Sequence, residues 1–306
     1  MLKKYLETLQ TDKDILLNQY NNTSKDLTKR DYVTANIFRE KNKFSDILSS
    51  EETRVKLDNQ PFYYINANHM LDNYIATQQP EAHTFNDFWE MVYEKNCSLI
   101  VNLSGNNSYL PLNSEIYGNH FVKVINITDK NYIKIRNIHV SNVNHSDIIK
   151  VVYHITFTLW PDYGVPTESD FTKLFDAISM IDYMSHTGPI VVHCRAGVGR
   201  TGTFILIHYI LKKSKKNEFS DPIDILIQMR TARCNMVQEP CQFEFGLKFI
   251  CNHLNKKSHF LNPIQLIKSK LTSSFDENNN CKTKYLQPIN SIKSAKKLST
   301  SAEVSI

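Results

Sequence analysis

Apolar positions along the chain fall into two rhythms. Near the start they are helically spaced, with Leu2, Leu6 and Leu9, then Ile15 and Leu16, set among polar residues, which predicts helix within residues 1 to about 40. From Tyr63 to Thr77 the pattern changes to strands with turns, and Phe85 to Tyr93 reads as a helix giving Phe88, Trp89 and Val92 to a core. Ser98 to Leu103 is an unbroken apolar run of buried-strand type, and Ile148 to Leu159 alternates like a further strand. Phe171 to Tyr183 returns to helical spacing and stops near Gly188-Pro189. Ile190 to His193 is another buried strand, followed by a glycine-bearing turn and an apolar helix from about Thr201. Asp221-Pro222 opens a helix to about Arg230, because proline suits the first helical turn, and a last apolar helix runs from about Gln242 to Leu254.

Strands interleaved with helices predict an α/β fold over residues 1–256. Past Asn255 lysine, serine and asparagine dominate and no periodicity survives, so 257–306 is expected to be a flexible basic tail. The 306 residues suffice for one large core, and 41% hydrophobic with 22% charged residues is the balance of a soluble globular protein. A net charge of +5 suits an anionic substrate without being a nucleic-acid signature, so no nucleic-acid partner is expected. Six cysteines without a CxxC pair or a His/Cys metal spacing support neither a disulfide framework nor a zinc site. The start carries charge where a leader needs an apolar run, and the greasiest stretch, Phe204 to Leu211, is too short to span a bilayer. A monomer in the reducing cytoplasm, without a transmembrane segment, is the expectation.

The densest chemistry lies in Val191-Val-His-Cys-Arg-Ala-Gly-Val-Gly-Arg-Thr-Gly202. A buried strand delivers Cys194 to a tight loop, and a helix leaves from Thr201. Backbone N–H groups of Arg195, Ala196, Gly197, Val198 and Gly199 can converge on an oxyanion, with Gly197 and Gly199 supplying the turn and the helix N-terminus its positive end. Arg200, six residues after the cysteine, can grip two oxygens of a phosphate as a fork that lysine lacks. The same field favours the thiolate, which attacks phosphorus in line to give a cysteinyl-phosphate; Thr201 is placed to hydrogen-bond the sulfur as it leaves. A cysteine ending a buried strand is, alone, a small core residue. Two glycines, Arg and Thr-Gly at this spacing decide otherwise. Upstream, Thr158-Leu-Trp-Pro-Asp-Tyr-Gly-Val-Pro166 holds one carboxylate between rigid prolines, which makes Asp162 the candidate proton donor to the leaving oxygen on a loop that moves as a unit. Thiolate and protonated acid together predict a bell-shaped pH profile on the mildly acidic side. No metal or organic cofactor is expected.

The cysteine segment resembles the His-Cys-x-Ala-Gly-x-Gly-Arg-Ser/Thr-Gly signature of the protein tyrosine phosphatases, within the broader Cys-x5-Arg phosphatases. Further landmarks follow in family order: Lys41-Asn-Lys-Phe-Ser-Asp46, Tyr64-Ile-Asn-Ala-Asn68, Thr77-Gln-Gln-Pro80, Phe88-Trp-Glu-Met-Val92, Trp160-Pro-Asp162, and Gln238 with Gln242. The resemblance implies a single catalytic domain with a highly twisted mixed sheet flanked by helices on both sides. It implies that Phe44 walls a deep slot for the phosphotyrosine ring and that Asp46 holds the substrate backbone; a core aromatic and a cap are the plainer alternatives. It further implies that Gln238 positions the hydrolytic water with Gln242 as companion, against the alternative of a polar surface pair. The lysine- and asparagine-rich composition and the short chain are similar to the tyrosine phosphatases of bracoviruses of parasitoid wasps, which would place the substrates among host signalling phosphoproteins in the host cytoplasm.

Three departures stand out. Asn102 to Phe121 lacks the family's glutamate that braces the arginine and the lysine that contacts the acid loop, keeping only Tyr109-Leu-Pro111. Arg195 stands where serine is commonest, and Asn235 where a small residue keeps the cleft open. They leave two alternatives to an active phosphotyrosine hydrolase: a weakly catalytic phosphotyrosine-binding decoy, and a phosphoinositide or RNA 5′-phosphatase. The terminal Val304-Ser-Ile306 reads as a frayed end, with a groove-binding carboxylate as the alternative.

Overall fold

The structure is a computed structural model that describes residues 7, 11–23, 30–57, 63–184 and 188–273, without the side chains of 13, 182–184 and 257–273. The chain divides into a compact unit, Met1–Lys257, and a second unit, Ser258–Ile306. The helices are α1 (Lys13–Thr23), α2 (Val33–Ile37), α3 (Phe85–Glu94), α4 (Glu168–Met184), α5 (Gly199–Lys215), α6 (Pro222–Ala232) and α7 (Pro240–Ser273). The strands are β1 (Ala67–Met70), β2 (Tyr74–Thr77), β3 (Leu99–Asn102), β4 (Ser114–Tyr117), β5 (His120–Lys130), β6 (Ile133–Asn142), β7 (His145–Phe157) and β8 (Ile190–His193).

They form one mixed eight-stranded sheet in the order β1-β2-β8-β3-β7-β6-β5-β4. Its centre is parallel, β8 lying between β2 and β3 with β3 against β7. Strands β8, β2 and β3 are buried at every position, as a parallel sheet covered on both faces demands. Alternation then divides the core. Ile190, Val192, Leu99 and Val101 pack with α4, α5 and α7, whereas Val191 and Ile100 face Phe88, Trp89, Met91 and Val92 of α3. Helix α6 begins as the dipeptide predicts, with the Asp221 carboxylate accepting from the Ile223 N–H at 2.7 Å and Pro222 in the first turn.

The antiparallel half, β4 to β6, has no counterpart in the sequence reading. Strand β5 exposes most of its outer residues, so no apolar run marks it; cross-strand pairing with β6 defines it instead. The last helix also differs, since its backbone runs to Ser273 rather than stopping at Leu254, and Lys, Gln and Leu are good helix formers there. From 274 the expected tail lies outside the described residues, as does most of the expected helix before Thr11. Among the described residues no helix is long and apolar enough to cross a membrane.

Candidate active site

The cysteine turn leaves the carboxyl end of β8 and enters α5, where two parallel neighbours hold it. Leu103 N–H bonds the His193 carbonyl at 2.9 Å, and Gln79 N–H bonds the Arg195 carbonyl at 3.1 Å. Gly197 sits at φ +72°, and a Cβ there would lie 2.1 Å from the Thr77 carbonyl oxygen, so both conformation and space demand glycine. Gly199 is not left-handed; it opens α5 and faces the Gln242 amide. The N-cap residue of α5, Val198, makes no side-chain cap, which leaves the first N–H groups of the helix for another acceptor.

Cys194 is 3% exposed and borders a cavity open to solvent. Eleven of the thirteen sequence-nominated residues line that cavity: Phe44, Asp46, Asp162, Cys194, Arg195, Ala196, Val198, Gly199, Arg200, Gln238 and Gln242, joined by Ile47 and Tyr163. The other two stand just behind it. Gly197 turns its carbonyl inward to Arg233, and Thr201 is fully buried with its Oγ1 lacking any partner among the described residues.

The acid loop is folded down. Arg200 Nη1 donates to the Trp160 carbonyl at 2.8 Å, and Nη2 is ion-paired with Asp162 Oδ1. Trp160 Nε1 closes the loop on the Gly164 carbonyl at 2.9 Å, which Gln242 Nε2 also reaches at 3.3 Å. Among the described residues, Asp162 is thus the carboxylate paired with the Arg200 guanidinium. The shortened loop is ordered by asparagines instead. Asn102 Nδ2 bonds Asn106 O at 2.7 Å and Asn107 Oδ1 at 3.0 Å, and Thr156 Oγ1 donates to Asn107 Oδ1 at 2.8 Å.

The geometry explains the outlying landmarks. Asn42 anchors the recognition loop, donating to the Ala35 and Phe38 carbonyls at 3.0 and 3.1 Å while its Oδ1 accepts from Asn66 at 2.8 Å and from Tyr64. Gln78 accepts from Lys43 N–H at 3.0 Å and donates to the Lys41 carbonyl at 2.8 Å. This fixes Phe44 at the rim, with the Arg195 guanidinium 5.6 Å from its ring centroid. Asp46 lines the same cavity and is exposed, and Asn235 is exposed but is not among the cavity's lining residues.

Arg233 was missed by sequence reasoning. It is 1% exposed and donates to the Gly197 and Ala196 carbonyls at 3.0 Å each, to Asn68 Oδ1 at 2.7 Å and to Asn66 Oδ1 at 2.6 Å. It thereby holds the loop from behind by two of its carbonyls. Nothing in a single arginine before the glutamine segment signals this. Burial depresses its pKa from the ordinary value without removing its charge.

Comparison with known proteins agrees with these features. Residues 38–252 match the family model described as protein-tyrosine phosphatase. Tyrosine-protein phosphatase non-receptor type 20 of Mus musculus is 33% identical over 275 residues, 81% of this chain and 62% of that protein. Tyrosine-protein phosphatase 2 of Dictyostelium discoideum is 35% identical over 63% of this chain and 55% of its own length. Tyrosine-protein phosphatase 1 of Caenorhabditis elegans is 33% identical over 74% of this chain and 23% of its own. The chain therefore spans less than two thirds of each of these relatives.

Proposed function

The chain belongs to the protein-tyrosine phosphatase family, and from that premise we propose that it hydrolyses phosphotyrosine on proteins through a cysteinyl-phosphate. The observation that carries the reading is the convergence of Cys194, Arg200 and Asp162 on one cavity at the uncapped start of α5. The phosphate enters above Cys194, accepts from the loop N–H groups and takes the Arg200 fork from Asp162. Asp162, released, faces the tyrosyl oxygen. The thiolate attacks phosphorus, the P–O bond breaks, and Asp162 gives its proton to the departing phenolate. Water held by Gln238 and Gln242 then attacks the cysteinyl-phosphate, Asp162 takes its proton, and the sulfur leaves as thiolate toward Thr201.

We assign catalysis to residues 1–256 and regard 257–306 as an appended basic tail. Phe44 and Asp46 at the rim favour a tyrosyl phosphate on a peptide over a shallow lipid or RNA substrate. The composition and its bracoviral resemblance support host phosphoproteins as targets, met in the host cytoplasm. The test is turnover of an aryl phosphate and a phosphotyrosyl peptide. Cys194→Ser abolishes both; Asp162→Ala lowers kcat by roughly 10²–10⁴ without weakening binding. A wild-type protein that binds the peptide without turnover establishes the decoy instead.

A further inference from the structure

Behind the nucleophile runs a buried chain of polar groups that the proposed reaction does not use. Tyr109, His154 and His193 are all 0% exposed. The Tyr109 hydroxyl lies 2.6 Å from His193 Nε2 and 2.7 Å from His154 Nε2. Tyr109 is held in place by its backbone, whose carbonyl accepts from Trp89 Nε1 at 3.0 Å, and by the edge-to-face ring of Phe88 at 4.8 Å. On the far side of His154 sits Arg136, whose Nη1 donates to Thr156 Oγ1 at 2.9 Å and reaches His154 Nδ1 at 3.5 Å. Both imidazoles are neutral at physiological pH. Burial holds His154 well below its ordinary pKa, with Arg136 adding to the effect, and burial lowers His193 to about 3.

Proton counting then favours one arrangement. A guanidinium only donates, so its approach to His154 Nδ1 at 3.5 Å favours the lone pair on that nitrogen and the proton of His154 on Nε2. That proton goes to the Tyr109 oxygen. The single Tyr109 hydrogen is left for His193 Nε2, which must therefore be an acceptor. The proton of His193 is thus on Nδ1, which has no hydrogen-bond partner among the described residues, and the adjoining Cys194 backbone is the polar group that favours a proton on this ring. The ring presents the positive end of its N–H to the nucleophile's peptide. The opposite tautomer would present a lone pair there and lose that attraction to the peptide that carries the nucleophile.

We propose that Arg136, through His154 and Tyr109, fixes the tautomer of His193 and is thereby a remote positioning residue for Cys194. The idea rests on Cys194 being the nucleophile, but the proton order is measurable without turnover. It also gives the shortened 102–121 segment a reason to keep Tyr109 while lacking the family's glutamate and lysine.

The experiment is nitrogen-15 NMR of histidine-labelled full-length protein, paired with the rate of iodoacetate alkylation of Cys194 and steady-state turnover of an aryl phosphate. Wild type is expected to show His154 protonated on Nε2 and His193 on Nδ1. Arg136→Met mixes the tautomers of both rings, slows alkylation severalfold and lowers kcat with little change in KM. His154→Leu behaves likewise. His154→Gln restores the wild-type His193 signal, because its amide N–H can donate to Tyr109 while its carbonyl accepts from Arg136. Finding His193 protonated on Nε2 in wild type overturns the proposal, and so does glutamine faring no better than leucine. Should Arg136→Met fail to fold, the wild-type spectrum and the Gln–Leu pair decide. A wild-type protein with the expected tautomers and no turnover defeats the phosphatase reading alone.

Discussion

Gly202 is the place where a single methyl group sets helix propensity against packing. It lies in α5, where alanine is ordinarily the better residue by about 1 kcal/mol. Here an added Cβ would stand 2.4 Å from the Val237 nitrogen and 3.2 Å from the Met236 carbonyl carbon, both backbone atoms. An ordinary contact needs about 1 Å more, and only a displacement of the glutamine segment can provide it. Val237 has little freedom to comply. Its N–H bonds the Val198 carbonyl at 3.1 Å, its carbonyl accepts from Arg230 at 3.0 Å and from Tyr20 at 2.8 Å, and its φ is already +54°. Overpacking costs roughly 1–3 kcal/mol and the strained hydrogen bond about 1 more. Against a helix gain of about 1, Gly202→Ala should destabilise by roughly 1–3 kcal/mol, read as a fall in melting temperature of about 2–4 °C per kcal/mol. The displaced Gln238 should also slow the second step, so that stopped-flow turnover of an aryl phosphate shows a burst of phenol followed by slow release of phosphate. A melting temperature at or above wild type, with no burst, would refute the reasoning.

Replacing Arg233 by Met leaves the Ala196 and Gly197 carbonyls without donors, at about 1–3 kcal/mol each, partly offset because no cation is then buried. A loss of roughly 2–4 kcal/mol in urea unfolding and a raised KM are expected, with Lys a poor substitute for the fork; unchanged KM would count against the loop-holding role. Asp46→Ala should raise KM for a phosphotyrosyl peptide and leave a small aryl phosphate unaffected, since Asp46 is exposed at the rim; equal effects on both would contradict peptide recognition. Burial depresses His193 to about 3 and His120 to about 4. The unfolded chain binds those protons near 6.5, so their stabilisation is complete above that pH and is lost as pH falls toward the folded values. The unfolding free energy from urea titrations should therefore drop between pH 7 and 5, by up to about 1.4 kcal/mol per pH unit for each histidine, and His120→Asn should blunt the fall. A fall of the same size in that variant would show that other groups are responsible.

What could be read from the amino acids alone was whatever depends on neighbours in sequence. The strand, turn and helix around Cys194, the parallel-sheet strands buried on both faces, and the capped start of α6 all carry local signals: unbroken apolar runs, glycine spacing, and an Asp-Pro step. Tertiary structure decided what depends on partners distant in sequence. Strands β4 and β5 expose much of their surface, β6 is only partly buried along most of its length, and all three exist through pairing across the sheet rather than through their own pattern. Arg233 becomes the buttress of the phosphate loop only because folding brings it beside Gly197, 36 residues earlier. Asp162 meets Arg200 across 38 residues, and Tyr109 links His154 to His193 across 45 and 84. Spacing in sequence specifies the periodicity of an element. The closing of long loops, with its entropy offset by burial, determines which side chains share a site.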